Sequence, residues 1–127
     1  MDTETLQRLL HQIELKDGST AAHTWRVVHY TRMMAERLSV PQDLLQRVTH
    51  AAALHDLGKL DVPDSILKKP GPLTPSEFET IKLHPIRGHE WLLSLGEQDP
   101  IVLNFVRHHH ERVDGTGYPD GLRGGDI

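Results

Sequence analysis

The hydrophobic residues of the chain recur at helical spacing in segments that glycine and proline separate. The first apolar stripe consists of Leu6, Leu9, Leu10 and Ile13. Because this spacing places them on one helix face, it predicts a helix that Gly18 ends. We expect Ser19 to cap a second helix that runs to about Leu38. Its predicted inner stripe contains His23, Val27, Tyr30, Met34 and Leu38.

A third helix and a long loop are predicted next. Pro41 suits the first turn of a helix, and Gly58 is expected to end that helix. Its predicted face carries Leu44, Val48, Ala51 and His55. Between Lys59 and Leu73, repeated prolines remove the amide N–H groups that a helix needs. We therefore predict mostly loop there, with one short turn near Asp64.

The second half of the chain predicts further helices. Residues Thr74 to Glu77 form a capping box with proline at the first helical position, and Phe78 and Ile81 are expected to face inward. Pro85 should break or kink this run before a leucine-rich helix. A last helix is predicted to begin near Pro100 and to lead into a glycine-rich loop.

No segment alternates in the way that paired β-strands do, so the predicted fold class is all-α. We expect a compact multi-helix bundle with a glycine-rich C-terminal loop. Residues 1–18 are interpreted as an N-terminal helix or linker, and residues 19–127 as the main domain.

Composition narrows the function classes. The chain has 127 residues, a net charge of −4 and no cysteine. This charge argues against a general DNA-binding surface, which needs a basic stripe. No apolar stretch approaches the roughly 20 residues of a membrane span, and the N-terminus lacks a signal-peptide pattern. We expect a cytoplasmic protein without disulfides or thiolate metal sites.

Ten histidines in so short a chain point to a metal centre. Imidazole and carboxylate ligands together suit divalent iron, manganese, nickel or zinc. For His23 alone a buried core histidine would be the simpler interpretation. The group as a whole favours metal binding because its members fall on, or at the ends of, apolar helix stripes. The candidate ligands are His23, His55, Asp56, His84, His109 and His110.

Three motifs carry a resemblance to a known family. They are His55-Asp56-Leu57-Gly58-Lys59, the run from Pro63 to Leu67 with Lys69-Pro70-Gly71, and the segment from His109 to Pro119. From about His23 onward the chain resembles the HD-GYP family of bacterial metal-dependent phosphodiesterases. The resemblance implies hydrolysis of the cyclic dinucleotide cyclic di-GMP at a binuclear centre of iron or manganese, with nickel or zinc as alternatives.

The resemblance also implies residue roles. His23, His55 and Asp56 would hold one metal, and Asp56 would bridge to a second metal held by His84, His109 and His110. A bridging hydroxide would attack phosphorus. Lys59 would act catalytically on the phosphate; alternatively, it is a surface lysine. A substrate loop would contain Asp114, Gly117, Tyr118 and Pro119.

Two departures from the family pattern bear on the metal centre. Ser19 stands where some members have a glutamate that supports a third metal, so two metals are expected. The family continues past the position of Ile127 into a helix with a further aspartate ligand, which this sequence does not contain. A fragment and a truncated homologue both remain open, and so does the choice of two metal ligands among His108, His109 and His110.

Two other functions also remain open. One is a catalytically inactive signalling or binding module that keeps the metal pocket. The other is an HD phosphohydrolase acting on another nucleotide. Besides a cyclic dinucleotide substrate, the expected partners are a sensory or receiver domain or a signalling protein.

Overall fold

A computed structural model describes residues 2–127. The helices, in chain order, are α1 (Thr3–Lys16), α2 (Gly18–Arg37), α3 (Gln42–Leu54), α4 (Asp64–Leu67), α5 (Pro75–Ile81), α6 (His84–Ser94) and α7 (Pro100–His108), with 3₁₀ turns at Leu57–Asp61 and Gly124–Asp126. Over this described part of the chain there is no β-strand, and only one isolated bridge joins Asp114 to Arg123. The predicted all-α fold class is confirmed.

The core lies between α3, α6 and α7 and receives α1 from one side. Its buried apolar side chains are Leu9, Ile13, Ala51, Leu54, Leu57, Leu92, Val102 and Val106. Burying a Val, Leu or Ile side chain stabilises a fold by roughly 1.5–3 kcal/mol. This core therefore holds together the C-terminal end of α3, the turn after it and the C-terminal half of α7. The candidate ligands lie at those ends.

Asp17 connects α1 to α2 and corrects the predicted boundary. Its backbone is extended, and its carboxylate accepts hydrogen bonds from the Ser19 amide (3.1 Å), the Ser19 hydroxyl (2.8 Å) and the Thr20 hydroxyl (2.7 Å). The cap of α2 is thus Asp17 and not Ser19, because the carboxylate satisfies several donors where a serine would satisfy one. Gly18 begins α2 instead of merely ending α1.

The predicted inner stripe of α2 was wrong for most of its length. The buried residues of this helix are Thr20, Thr24 and Ala35, whereas Tyr30, Met34 and Leu38 are 62%, 66% and 69% exposed. The buried positions of α2 thus carry small side chains, and the helix packs against α3 and α1. The larger apolar residues consequently line an open groove with Leu44, Val48 and Phe105.

Local signals in the middle of the chain were more reliable. The Thr74–Glu77 capping box forms both of its reciprocal hydrogen bonds, and Pro85 lies in the first turn of the separate helix α6. The short turn expected near Asp64 is α4. Phe78 was expected to face inward but is 46% exposed, because α5 is short and packs mainly against α4. None of the helices described here is long and apolar enough to span a membrane.

Candidate metal centre

Asp56 lies at the centre of the candidate site. It follows His55, the cap residue of α3, and its side chain is only 3% exposed. Three further helices bring imidazoles to it: His23 from the second turn of α2, His84 from the start of α6 and His109 from the end of α7. The residues are distant in sequence, so the packed core is what brings them together.

The two carboxylate oxygens of Asp56 face different histidines. Its Oδ1 atom lies 3.2 Å from His84 Nε2 and 3.6 Å from His109 Nε2. Its Oδ2 atom lies 3.1 Å from His55 Nε2 and 3.9 Å from His23 Nε2. Asp56 therefore stands between two groups of nitrogen atoms and presents one oxygen to each group.

Backbone carbonyls determine which imidazole nitrogens face Asp56. The Nδ1 atom of His55 contacts the Ala52 carbonyl oxygen at 2.7 Å, and the Nδ1 atom of His84 contacts the Ile81 carbonyl oxygen at 2.7 Å. A carbonyl can only accept, so Nδ1 donates in both cases and the neutral ring has its lone pair on Nε2. His109 repeats this arrangement on the Val106 carbonyl at 2.8 Å.

The consequence is an inward-facing set of lone pairs. The Nε2 atoms of His84 and His109 are only 3.2 Å apart and both approach Asp56 Oδ1. In the neutral rings neither nitrogen carries a proton for the other. Such an arrangement needs positive charge between its members, either as protons or as metal ions.

Burial disfavours protons as the source of that charge. It lowers the pKa of His109, and together with the nearby His109 and His84 it lowers the pKa of His110 to about 4. Burial also lowers the pKa of His23. For Asp56 burial acts to raise the pKa, but the contacts with His109, His55 and His84 outweigh it and hold the pKa below its ordinary value. Neutral imidazoles and an ionised carboxylate are the forms that bind divalent metals.

Two glycines bring His84 close to Asp56. A β-carbon on Gly58 would overlap the backbone carbonyl of His84 and lie 2.6 Å from the amide nitrogen of Gly88. A β-carbon on Gly88 would meet the Val106 side chain at 2.9 Å. The turn after Asp56 can therefore pack directly on the start of α6 only because both residues lack a side chain. Sequence reasoning treated Gly58 as a helix end and missed this contact.

The C-terminal loop closes over one side of the cluster. The Tyr118 ring stacks on His110 with a centroid distance of 4.8 Å and an interplanar angle of 14°. A β-carbon on Gly117 would overlap backbone atoms of His110 and Arg112, so the loop returns in close contact with the end of α7. Asp114 accepts hydrogen bonds from the Thr116 amide and hydroxyl, which shapes the loop start.

Lys59 is the only lysine that contacts Asp56 in the described chain. Its ammonium nitrogen lies 3.3 Å from Asp56 Oδ2, and its side chain is 23% exposed. It is thus neither an isolated surface lysine nor fully enclosed. A second lysine, Lys82, has its ammonium nitrogen 5.3 Å from the centre of the Tyr118 ring.

Two sets of side chains have ligand atoms within 4.8 Å of one another and share Asp56: Asp56 with His84, His109 and His110, and Asp56 with His23 and His55. The structure thus brings all six predicted ligands together, although their role in binding metal stays a prediction. His108 lies elsewhere, in a third set with Glu111 and Asp120. Sequence reasoning assigned no role to Glu111, although its place directly after His110 was a usable signal.

Comparisons with known proteins identify the family of the chain. The HD domain family model matches residues 7–127. The chain is 44% identical over 126 residues to the cyclic di-GMP phosphodiesterase response regulator RpfG of Xanthomonas campestris, covering 97% of this chain and 33% of that protein. It is 40% identical over 126 residues to a cyclic di-GMP phosphodiesterase of Thermotoga maritima, covering 98% of this chain and 34% of that protein.

A third relative carries a different substrate in its name. The chain is 34% identical over 125 residues to the 3'3'-cGAMP-specific phosphodiesterase 2 of Vibrio cholerae, covering 98% of this chain and 24% of that protein. The chain thus spans about a third or less of the length of these three relatives.

Proposed function

Because this chain belongs to the HD domain family, we propose that it is the catalytic domain of a metal-dependent phosphodiesterase that hydrolyses cyclic di-GMP. The observation that carries the proposal is the position of Asp56, with one oxygen toward His84 and His109 and the other toward His55 and His23. A carboxylate placed in this way can bridge two metal ions. The names of the Xanthomonas and Thermotoga relatives supply the substrate class.

The two groups of histidines that share Asp56 fit two divalent metal ions. We propose iron or manganese, with nickel or zinc as alternatives. His84, His109, His110 and Asp56 would hold one ion, and His23, His55 and Asp56 the other. Bound ions at this position would activate water and neutralise phosphate charge. The inward-facing lone pairs are the physical support, since Nδ1 hydrogen bonds to backbone carbonyls orient ligand histidines in many metal sites.

The remaining residues would act on the substrate. Lys59 reaches the Oδ2 side of Asp56 and would stabilise charge that develops on the phosphate. Tyr118, stacked on His110, offers an aromatic face beside the metal ligands, and the flanking Gly117, Pro119 and Asp114 shape this loop. Phosphate attraction to a chain with a net charge of −4 would depend on the bound cations.

The test is an assay of purified protein containing this chain with manganese or iron added, using cyclic di-GMP as substrate. We expect metal-dependent hydrolysis, and Lys59→Ala should lower turnover by roughly a hundredfold, as for loss of one charge-stabilising group. Lys68→Ala is the matched control, because Lys68 lies on the surface away from Asp56. Metal-replete, folded protein that binds no dinucleotide and hydrolyses none would contradict the proposal.

A second candidate substrate is 3'3'-cGAMP, which the name of one Vibrio relative supports. Parallel assays of both dinucleotides separate the two candidates through the ratio of their kcat/KM values. Dinucleotide binding with full metal content but no turnover would instead favour an inactive signalling module.

The two metal positions should differ in affinity. The set with His84, His109 and His110 has four protein ligands and is mostly buried, whereas the other has three and includes His23, whose side chain is 49% exposed. Fewer ligands and more water weaken the hold on an ion. After extensive dialysis, elemental analysis of this chain should find about one metal or fewer per molecule. Two tightly retained metals would contradict this ranking.

A further inference from the structure

Glu111 is a buried carboxylate with no role in the metal centre described above. It follows His110 directly, yet its side chain is 0% exposed. One oxygen accepts a hydrogen bond from the Asp120 amide at 2.8 Å, and the other accepts from the Leu122 amide at 3.1 Å. Both donors belong to the far side of the loop that carries Tyr118.

A second contact holds the same part of the loop from outside. The Arg107 guanidinium donates to both oxygens of Asp120, at 2.9 and 3.1 Å. His108 Nδ1 lies 3.5 Å from Glu111 and from Asp120 and has no hydrogen-bond partner of its own. Arg107 and His108 at the end of α7, and Glu111 just after it, thus all lie against the returning segment of the loop.

His108, Glu111 and Asp120 also have the composition of a metal site, since their potential ligand atoms lie within 4.8 Å of one another. The hydrogen bonds argue against that use. Both Glu111 oxygens already accept backbone amides, and both Asp120 oxygens already accept the Arg107 fork. Arg107 supplies the positive charge that Asp120 needs, and the backbone amides stabilise Glu111, so both carboxylates are stabilised without a metal ion.

We infer that Glu111 is a positioning residue: it fixes the return of the loop from residue 112 to residue 122 and so holds Tyr118 against His110. The loop has close contacts at both of its ends. Near its middle, the Tyr118 amide donates to the His110 carbonyl at 3.2 Å, and Gly117 packs on the same backbone. Glu111 supplies the anchor beyond Tyr118, so the ring is held between two fixed points.

The structural role of Glu111 does not depend on the proposed function. Its consequence does: if the chain binds a cyclic dinucleotide, the Glu111 contacts with the loop should set the affinity for it. Without Glu111, the loop would lose the anchor on the C-terminal side of Tyr118. His84 and His109 would keep their positions, because their Nδ1 hydrogen bonds to the Ile81 and Val106 carbonyls do not depend on the loop. Substrate binding and metal binding should therefore separate.

The direct test is amide hydrogen exchange, followed by NMR, in Glu111→Gln. The amide replaces one accepting oxygen by a donor, so one loop amide must lose its partner. We expect the one of the Asp120 and Leu122 amides that loses its acceptor to exchange about tenfold faster or more, the effect of losing one hydrogen bond to a charged acceptor. Leu92 in α6 should be unchanged, and the Tyr118–His110 ring contact should weaken. The matched control is Glu90→Gln, at a glutamate of α6 that is 55% exposed.

Unchanged exchange at Asp120 and Leu122, or equal acceleration of all amides including Leu92, would overturn the inference. Should Glu111→Gln fail to fold, the unaltered protein decides. The Asp120 and Leu122 amides must then be protected far more than the exposed backbone at Gly125, and equal exchange would overturn the inference.

A titration with cyclic di-GMP in the presence of manganese completes the test. We expect about tenfold weaker dinucleotide binding in Glu111→Gln, with manganese affinity unchanged. Loss of manganese affinity in parallel would instead assign Glu111 to the metal centre and overturn the inference. If the unaltered protein binds no dinucleotide, the proposed function fails, while the exchange experiment still decides the role of Glu111.

Discussion

Two aspartates, Asp56 and Asp99, connect α3 with α7 at opposite ends of the pair and use their charge differently. Asp99 caps α7 through the Ile101 amide at 2.9 Å and receives two hydrogen bonds from Arg47 of α3, at 2.7 and 2.8 Å. Asp56 follows the other end of α3 and faces the histidines of the opposite end of α7. Both carboxyl groups have lowered pKa values.

The difference lies in what each carboxylate faces. The Arg47 guanidinium lowers the pKa of Asp99 to about 2. The negative charge of Asp99 is thus paired with a side chain that is always positively charged. Asp56 faces the Nε2 atoms of His55, His84 and His109, whose protons lie on the far side of each ring. Lys59 is its one nearby amine among residues 2–127. Asp99 has hydrogen-bond donors for both of its oxygens and stabilises the fold. Asp56 is surrounded mainly by acceptor nitrogens, an arrangement suited to binding cations.

The largest expected effect comes from removing the carboxylate between the two histidine groups. Asp56→Ala takes away the one side chain shared by both ligand sets. We expect affinity for manganese, measured by calorimetry and elemental analysis, to fall by about a hundredfold or more, beyond the usual effect of losing an indirect ligand contact.

Asp99→Asn should leave the metal content unchanged, which makes it the matched variant for Asp56→Ala. Equal losses of metal in the two variants would mean that the contrast between the two carboxylates is wrong. Circular dichroism should show that both variants remain folded, so that metal affinity is compared between intact helices.

An intermediate effect is expected from Gly58→Ala, which disturbs the Asp56 end alone. The new methyl group would overlap the backbone at His84, where no side chain can rotate away. We expect the free energy of unfolding, measured with urea, to fall by about 3 kcal/mol.

Gly71→Ala is the control for that substitution, because the space around Gly71 is open. The free energy of unfolding should change there by less than about 0.5 kcal/mol. If Gly58→Ala were as stable as Gly71→Ala, the close packing of the Leu57–Asp61 turn on α6 would not be needed for stability.

These residues also show what could be predicted from sequence. The family recognition from the His55–Lys59 and His109–Pro119 motifs is confirmed by the HD domain match. Helix ends were predictable where a local rule acts, as at Thr74 and Pro85. The convergence of the histidines was also predicted, since their positions on apolar stripes and at helix ends depend on local spacing.

The α2 face was not predictable by the same means. Hydrophobicity favoured Tyr30, Met34 and Leu38 as the buried stripe, but the packing of α2 on its neighbours buries the small residues Thr24 and Ala35 instead. Which face a helix buries depends on the shape of its neighbour, and that information is not local. The Gly58–Gly88 contact and the Glu111 hydrogen bonds were missed because they join segments distant in sequence.

The smallest expected effect concerns acid stability at the Asp99 end. In the folded protein the pKa of Asp99 is about 2 because of the Arg47 hydrogen bonds, against an ordinary value of 3.8. A lowered folded-state pKa stabilises the fold above about pH 4, and this contribution is lost as pH falls through 2. Asp99→Asn keeps an oxygen for the Ile101 amide but loses the charge. It should therefore be less stable than the unaltered protein by about 1 kcal/mol at pH 7.

That stability difference should shrink between pH 4 and pH 2 and vanish below pH 2. Urea unfolding of both proteins at pH 7, 4 and 2.5 measures it directly. The comparison of the two proteins is needed because Glu77, whose pKa is lowered to about 2 by its hydrogen bond with Lys69, loses its contribution in the same range. Glu77 is present in both proteins and cancels in the difference. A difference that persisted unchanged at pH 2.5 would show that Asp99 acts through its shape in the α7 cap, and not through its charge.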